Sequence, residues 1–308
     1  MSDNEKIVRA TGLLVIEVRN SNPNGDPDRE SDPRTRNHDR RGIVTGVSFK
    51  RKLRDLVDKK DGDVWKNLSE KLNLAEESGG YQYEILETRG RKREEIIKLK
   101  REEFQKRYWD ARVFGNTFLE SFKDDKESKK EDKEHFIRTG VVQFALGLSV
   151  APIRIERITN TNKAGVEGDK DRGMAPLGYR IVEHAVYCMP FSVNQTASLE
   201  KHGTGCRKKD IDLLLKLIPY AYPHTRSHIR PFVEVRHAWY AEHLDALGSF
   251  SEFAFIEAMT PKRKGNSENP SVANISLEDQ YEVPKEKDIP DNLKKKVKSF
   301  SDLCDTTG

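Results

Sequence analysis

The segment from Thr11 to Val18 (TGLLVIEV) is apolar and β-branched, and the stretch that follows, from Asn20 to Arg41, has almost no apolar side chain and contains three prolines. The first reads as a buried, central strand that ends where Asn-Ser-Asn-Pro-Asn-Gly begins. The second is longer than an ordinary connection inside a domain and reads as a functional loop that a ligand would order. Apolar character returns over Gly42 to Val47. Ser48 is placed to cap a helix running to about Lys60, with Phe49, Leu53, Leu56 and Val57 on one face and Lys50, Arg51 and Arg54 on the other.

Residues 64 to 135 read as a helical insertion, with helices from Trp65 to Glu77 and from about Glu94 to Phe122 and a short strand at Tyr81 to Glu87. The charged run Lys123 to Glu134 reads as a solvated loop or a frayed helix end. Gly140 to Ile158 and Tyr179 to Val193 have strand character, and the polar excursion Thr159 to Gly178 makes them a long hairpin. Asp210 to Tyr220 is a short amphipathic helix, and Pro231 to Tyr240 alternates as a final strand. Past Pro261 apolar content collapses, so residues 261 to 308 read as a charged tail, linker or docking segment with a weak helix near Leu293 to Leu303. The order strand, helix, strand, strand, helix, strand over residues 8 to 260 is the split βαβ plan. The expected fold is therefore α+β, with an RRM-like or ferredoxin-like core. No internal repeat or low-complexity tract interrupts it.

Net charge alone identifies no partner: 55 Lys and Arg face 51 Asp and Glu, a balance of +4. What matters is where the charges sit. Cys188, Cys206 and Cys304 are far apart, odd in number and without a CxxC pair, which suits a reducing compartment such as the cytoplasm better than a disulfide scaffold. The start lacks an apolar signal segment, and no run approaches the ~18 apolar residues of a membrane span.

The densest signal is Asn20-Ser-Asn-Pro-Asn-Gly-Asp-Pro-Asp28, followed by Arg29, Arg34, Arg36, His38, Arg40 and Arg41, and then by Lys50, Arg51, Lys52 and Arg54. Amides and guanidinium groups suit phosphate, 2′-hydroxyl and base-edge contacts, and the prolines keep the loop extended. The same residues also fit a solvated loop beside a charged helix face. The RNP aromatic signature is missing, so loops and helices would carry binding.

Four ordered motifs add a resemblance. They are Thr11-Gly-Leu-Leu-Val-Ile-Glu-Val with Asn22-Pro-Asn-Gly-Asp-Pro-Asp28; Val44-Thr-Gly-Val-Ser-Phe-Lys-Arg-Lys-Leu-Arg-Asp55; Trp109-Asp-Ala-Arg-Val-Phe-Gly115; and Thr139-Gly-Val-Val-Gln-Phe-Ala-Leu-Gly-Leu-Ser149. Together they resemble the backbone subunit of type I CRISPR Cascade complexes, closest to the I-C and I-B branches, from about residue 8 to residue 260. The resemblance implies a non-catalytic protein that stacks head to tail along a guide RNA. It further implies that the protein presents the guide for pairing with target DNA and adjoins other Cascade subunits, with no cofactor and no membrane. Such a heterologous interface does not close and so builds a filament. By the same resemblance Asn22, Asn24, Lys50, Arg51 and Arg54 would contact the guide backbone; the residue types themselves add Arg34 and Arg36 of the basic loop, and His228 and Arg230 as a phosphate-contacting His-Arg cluster. The excursion 159 to 178 would be a thumb, in which Arg172, Gly173 and Met174 supply a cation, a tight turn and an apolar wedge for unstacking a base. Without the resemblance the excursion reads as a disordered surface loop.

Three rival readings remain at this level. Asp26, Asp28, Asp32 and Asp39 share the basic loop and could hold a metal for strand cleavage, as in the RNA-cutting backbone subunits of type III complexes. His202-x₃-Cys206 and His224-x₃-His228 have zinc-like spacing, although surface histidines fit as well. A structural oligomer would assemble without RNA. There is no P-loop, GxGxxG or GxSxG.

Overall fold

The computed structural model describes residues 6–74, 79–88, 90, 93–116, 138–161, 176–199 and 203–305. Strand β1 (Ala10–Ser21) is buried continuously from Ala10 to Val18. After it come the short pair β2 (Gly25–Asp26) and β3 (Asp32–Pro33), then β4 (Arg41–Val44) and helix α1 (Gly46–Asp58). The cap of α1 is Thr45 rather than Ser48: the Ser48 N–H donates to the Thr45 hydroxyl at 3.2 Å, so the helix starts earlier than its apolar period indicates. Its buried face is Phe49, Leu53, Leu56 and Val57, as the spacing requires.

The insertion is helical but more broken than the sequence suggests, with α2 (Asp63–Lys71), α3 (Arg93–Ile97), α4 (Arg101–Arg107) and α5 (Trp109–Phe114). Tyr108 is extended and separates α4 from α5. The break lets the Tyr81 to Glu87 segment dock alongside: Gln82 and Glu84 donate their N–H groups to the carbonyls of Lys106 and Arg107 at 2.7 and 3.1 Å. These contacts satisfy end-of-helix carbonyls that have no partner within the helix. The segment itself is not a regular strand and forms one isolated bridge, Glu84 to Tyr108.

Then come β5 (Gly115–Asn116), β6 (Arg138–Thr139), β7 (Val142–Phe144), β8 (Gly147–Pro152), β9 (Ile155–Thr161) and the 18-residue β10 (Pro176–Val193). Helix α6 (Lys208–Leu217) and β11 (Phe232–His243) follow. The remaining elements are α7 (Glu252–Met259), β12 (Lys262–Arg263), α8 (Leu277–Gln280), β13 (Tyr281–Glu282), α9 (Asp291–Lys294) and β14 (Val297–Asp302). Among the described residues no helix is long and apolar enough to cross a membrane.

The architecture is mixed α/β around one antiparallel sheet in the order β14-β11-β1-β10-β8-β4, with β7 and β9 also on β10. β1 is flanked by its two longest partners, from Ala10 opposite Val193 to Ser21 opposite Val182 and from Ala10 opposite Glu242 to Arg19 opposite Phe232. That central place explains why it lacks polar alternation: both faces are covered. Leu14 and Ile16 join Phe49, Leu53, Leu214 and Tyr222 in the core under α1 and α6. On the other face Leu13, Val15, Val186 and Trp239 meet Phe255, Met259, Leu277, Tyr281, Ile289 and Leu293.

That second core corrects the reading of residues 261 to 308 as a tail. The stretch docks on its own sheet, and β14 pairs with β11 where a weak helix was expected. Its apolar residues are few and widely spaced among charges, so mean composition hides them, yet Leu277, Tyr281, Ile289 and Leu293 are buried against the sheet face. A buried polar chain fastens it further. The Tyr281 hydroxyl donates to Ser271 Oγ at 2.9 Å, Ser271 Oγ lies 2.7 Å from His184 Nδ1, and His184 Nε2 lies 3.1 Å from Glu17. Burial would raise the Glu17 carboxyl, but hydrogen bonds from His184 and Arg19 outweigh it and hold Glu17 below the usual carboxylate range.

Candidate nucleic-acid interface

The Asn-Pro-Asn motif orders the loop from within. Asn22 is 1% exposed, and its amide donates to the carbonyls of Ser31 and Arg180 at 2.7 and 3.3 Å. Its backbone N–H donates to the Ile229 carbonyl at 2.7 Å, and its own carbonyl accepts from Arg230 Nε at 2.9 Å. Asn22 thus ties the end of β1 to the loop, to β10 and to the segment before β11. It lies behind the surface and positions other groups, where the sequence reading had it touching a ligand. Asn24 locks the loop to the start of α1, its Oδ1 accepting from the N–H and hydroxyl of Thr45 at 2.8 and 3.0 Å.

Most of the arginines are already engaged. Arg34 donates to the Gly25 carbonyl and lies 3.4 Å from Asp26; Arg36 pairs with Asp39, and Arg180 of β10 with Asp32. Arg51 donates to the Glu87 carbonyl and pairs with Asp55 at 2.8 Å. The Arg54 side chain is 11% exposed and donates to Asp110 at 2.8 Å. Exposed pairs such as Arg51–Asp55 reorganise at little cost, whereas Arg54 is committed to the interior.

Lys50 and Lys52 are different: among the described residues neither has a carboxylate within ion-pair distance. Lys50 Nζ lies 5.1 Å from the Phe114 ring centroid, and the Arg54 guanidinium lies 5.2 Å from the same ring. Burial, with Arg54 nearby, brings the Lys50 ammonium down to about 8. Burial, then Arg230, brings Lys52 to about 8 as well, with Asp55 partly opposing. Two half-buried cations held close to other cations make a site that an anion would stabilise. Phe114 is set against α1 by a close crossing of glycines: Gly115 has φ +74°, and a Cβ on Gly140 would fall 2.1 Å from the Phe114 carbonyl carbon. A groove of about 330 Å³ opens there, lined by Arg54, Asn116, Arg138 and Gln143.

On the other flank of α1, Arg230 is half-buried, and exposed His228 packs edge-on against Tyr179 of β10 with centroids 5.3 Å apart. The β9–β10 hairpin is paired from Val182 opposite Ile155 to Pro176 opposite Thr161. Arg172, Gly173 and Met174 lie outside the described residues, as does His202 of the zinc-like pairs. Burial raises the Cys206 thiol well above its ordinary value, which opposes the thiolate a metal requires. Among the described residues no three of His, Cys, Asp and Glu form a metal-binding group.

The family model described as CRISPR-associated protein Cas7 matches residues 8–283. The chain belongs to the Cas7 family. The match runs past residue 260 into the docked C-terminal segment, so the resemblance read from the motifs stops too early. Three solved structures are similar to this Cas7 chain. A chain of a CRISPR RNA-guided surveillance complex in a pre-nicking state is 13% identical with a TM-score of 0.47, covering 82% of this chain and 83% of that one. A chain of another CRISPR RNA-guided surveillance complex is 15% identical with a TM-score of 0.45, covering 84% and 78%. A chain of the type III-B Cmr-beta complex bound to cognate target RNA is 11% identical with a TM-score of 0.37, covering 76% and 61%. Curated protein sequences gave no match.

Sequence reasoning missed what Trp109-Asp-Ala-Arg does in this Cas7 chain. Asp110 is buried and accepts from the N–H groups of Leu86 and Glu87 at 2.7 and 3.1 Å besides Arg54. Arg112 has 0% exposure and grips both oxygens of Asp210, at 3.0 and 2.8 Å. It also donates to the carbonyls of Gln82, Gln105 and Lys106. The motif bolts the insertion to α1 and α6, which fixes the cationic flank. Two charges within four residues of an otherwise apolar helix are the signal that could have shown it.

Proposed function

We propose that this Cas7-family protein is a cytoplasmic, guide-RNA-binding backbone subunit of a type I CRISPR surveillance complex. Copies stack head to tail along the guide, beside other Cascade subunits, and present it to a target DNA strand. The observation that carries the reading is the pair of ammonium groups, Lys50 and Lys52, that have no carboxylate within ion-pair distance among the described residues, on a rigidly backed helix beside a loop ordered from within. Family membership over residues 8–283 gives it context. The strand order β11-β1-β10-β8 with α1 and α6 in the connections supports an RRM-like, split βαβ palm. The proposed layout is that palm over residues 8 to 260, with the insertion at 64 to 135 and the thumb at 159 to 178. Arg172, Gly173 and Met174 are assigned to the thumb tip, and Arg34, Arg36, Arg51, His228 and Arg230 to the surroundings of Lys50 and Lys52.

The proposed role is non-catalytic, a reading supported by the ion pairs that Asp26, Asp32 and Asp39 of the same loop make with Arg34, Arg180 and Arg36. Guide and target, not side chains, would supply sequence selectivity. The spacing of nuclease-accessible nucleotides on co-purified RNA tests the function.

The lysines also set a pH dependence. In the free protein both lose their protons above about 8, and a contacting phosphate opposes that loss. Affinity for single-stranded RNA is expected to be level up to about pH 7, to be falling already at about pH 8 and to fall steadily toward about pH 9.5, because binding then requires proton uptake. The double variant Lys50→Arg, Lys52→Arg should stay level throughout, since guanidinium keeps its proton. Fluorescence anisotropy across that range decides it; parallel curves for the two proteins would remove the lysines from the contact.

A further inference from the structure

The C-terminal segment covers only part of its face of the sheet. Beyond it, where β1 ends and β11 begins, Glu17, Arg19, Phe232, Glu234 and Arg236 share the open face, with Arg226 beside them, around a groove of about 440 Å³. Phe232 is 61% exposed and sits directly opposite Arg19 in the β1–β11 register. Glu17 lies on the floor with its charge already taken up by Arg19 at 2.6 Å, Arg236 at 3.2 Å and His184 at 3.1 Å. Arg226 is exposed and has no carboxylate within ion-pair distance among the described residues.

We propose that this corner is a second contact surface for single-stranded nucleic acid, with a base stacked on Phe232 and its flanking phosphates at Arg226 and Arg19. The proposal rests on the reading of the chain as a nucleic-acid-binding subunit. An open aromatic ring offers a π-face to any base, and guanidinium groups on either side track the backbone. A stable protein partner would call for a contiguous apolar centre, whereas the groove around Phe232 is lined mainly by charged side chains, with Pro223 and the buried Val233 its other apolar residues. The corner is also continuous in sequence with the first surface: Arg230, tied to Asn22 and facing Lys52, stands two residues before Phe232.

The test uses the full chain and a 5-iodouridine-substituted RNA oligonucleotide, with photocrosslinked peptides identified by mass spectrometry. Adducts are expected both on α1 around Lys50 to Lys52 and on the peptide from Arg226 to Arg236. Phe232→Ala should weaken binding about tenfold, as loss of one stacked base does, and Phe232→Trp should retain it. Phe232 is exposed, so both variants should melt with the parent. Adducts on α1 alone, with Phe232→Ala binding unchanged, would overturn the second surface and leave the first intact. Binding and adducts lost everywhere in the parent protein would overturn both. Loss of RNA-free self-association in Phe232→Ala, with crosslinks unaltered, would make the corner a protein contact and overturn the proposal.

Discussion

Arg112→Met is expected to destabilise the protein by about 3–5 kcal/mol, the cost of leaving a buried charge without its partner. Asp210 has 0% side-chain exposure and would keep only the Arg207 N–H at 2.9 Å and the Arg207 guanidinium at 3.6 Å. The carbonyls of Gln82, Gln105 and Lys106 would lose their shared donor as well. A fall in melting temperature of roughly 5–8 °C is the expected reading, by calorimetry or circular dichroism. Adding Asp210→Asn should recover part of the loss, because an uncharged amide tolerates burial better than an unpaired carboxylate. Equal stability of the single variant and the parent would mean that the insertion is not held through this pair.

The double variant Lys50→Ala, Lys52→Ala should do the reverse, sparing the fold and impairing binding. Among the described residues neither ammonium has a carboxylate within ion-pair distance, and burial already penalises both. Two lost phosphate contacts should weaken single-stranded RNA binding about 30-fold at low salt. They should also flatten the plot of log affinity against log salt by about 1.4, given about 0.7 per phosphate on a single strand. Arg54→Ala is the contrasting control. It strips Asp110 of its cation and should cost stability, although the sequence reading placed Arg54 with Lys50 as an RNA contact. An unchanged salt slope in the double variant would remove the α1 flank from the interface.

The contrast between Arg54 and Lys50 shows how far sequence carried. Period and composition located β1, the apolar face of α1, the β9–β10 hairpin and strand β11, because each rests on local alternation or helical spacing. Lys50, Arg51, Lys52 and Arg54 were legible as one basic group. Which of them are committed was not, because Asp110 lies 56 residues from Arg54 in the chain. Asn22 carries the same lesson: its residue type suits a ligand, but the carbonyls of Ser31 and Arg180 claim its amide. The C-terminal segment escaped because Leu277, Tyr281, Ile289 and Leu293 follow no single period, being set by the contour of a sheet face formed much earlier in the chain. Phe232 escaped for a related reason, since alternation marks it as a strand residue without saying that its face is left open.

The central claim is that the chain lines a guide RNA in repeated copies. It is tested most directly by expressing the protein beside a CRISPR array, recovering the RNA that co-purifies, and digesting it partially with a nuclease. Array-derived RNA with accessible nucleotides at a regular interval, and no cutting in a control given metal without nuclease, is the expected result. RNA unrelated to the array, irregular protection, or cleavage in the metal control that Asp26→Ala or Asp28→Ala abolishes would contradict it.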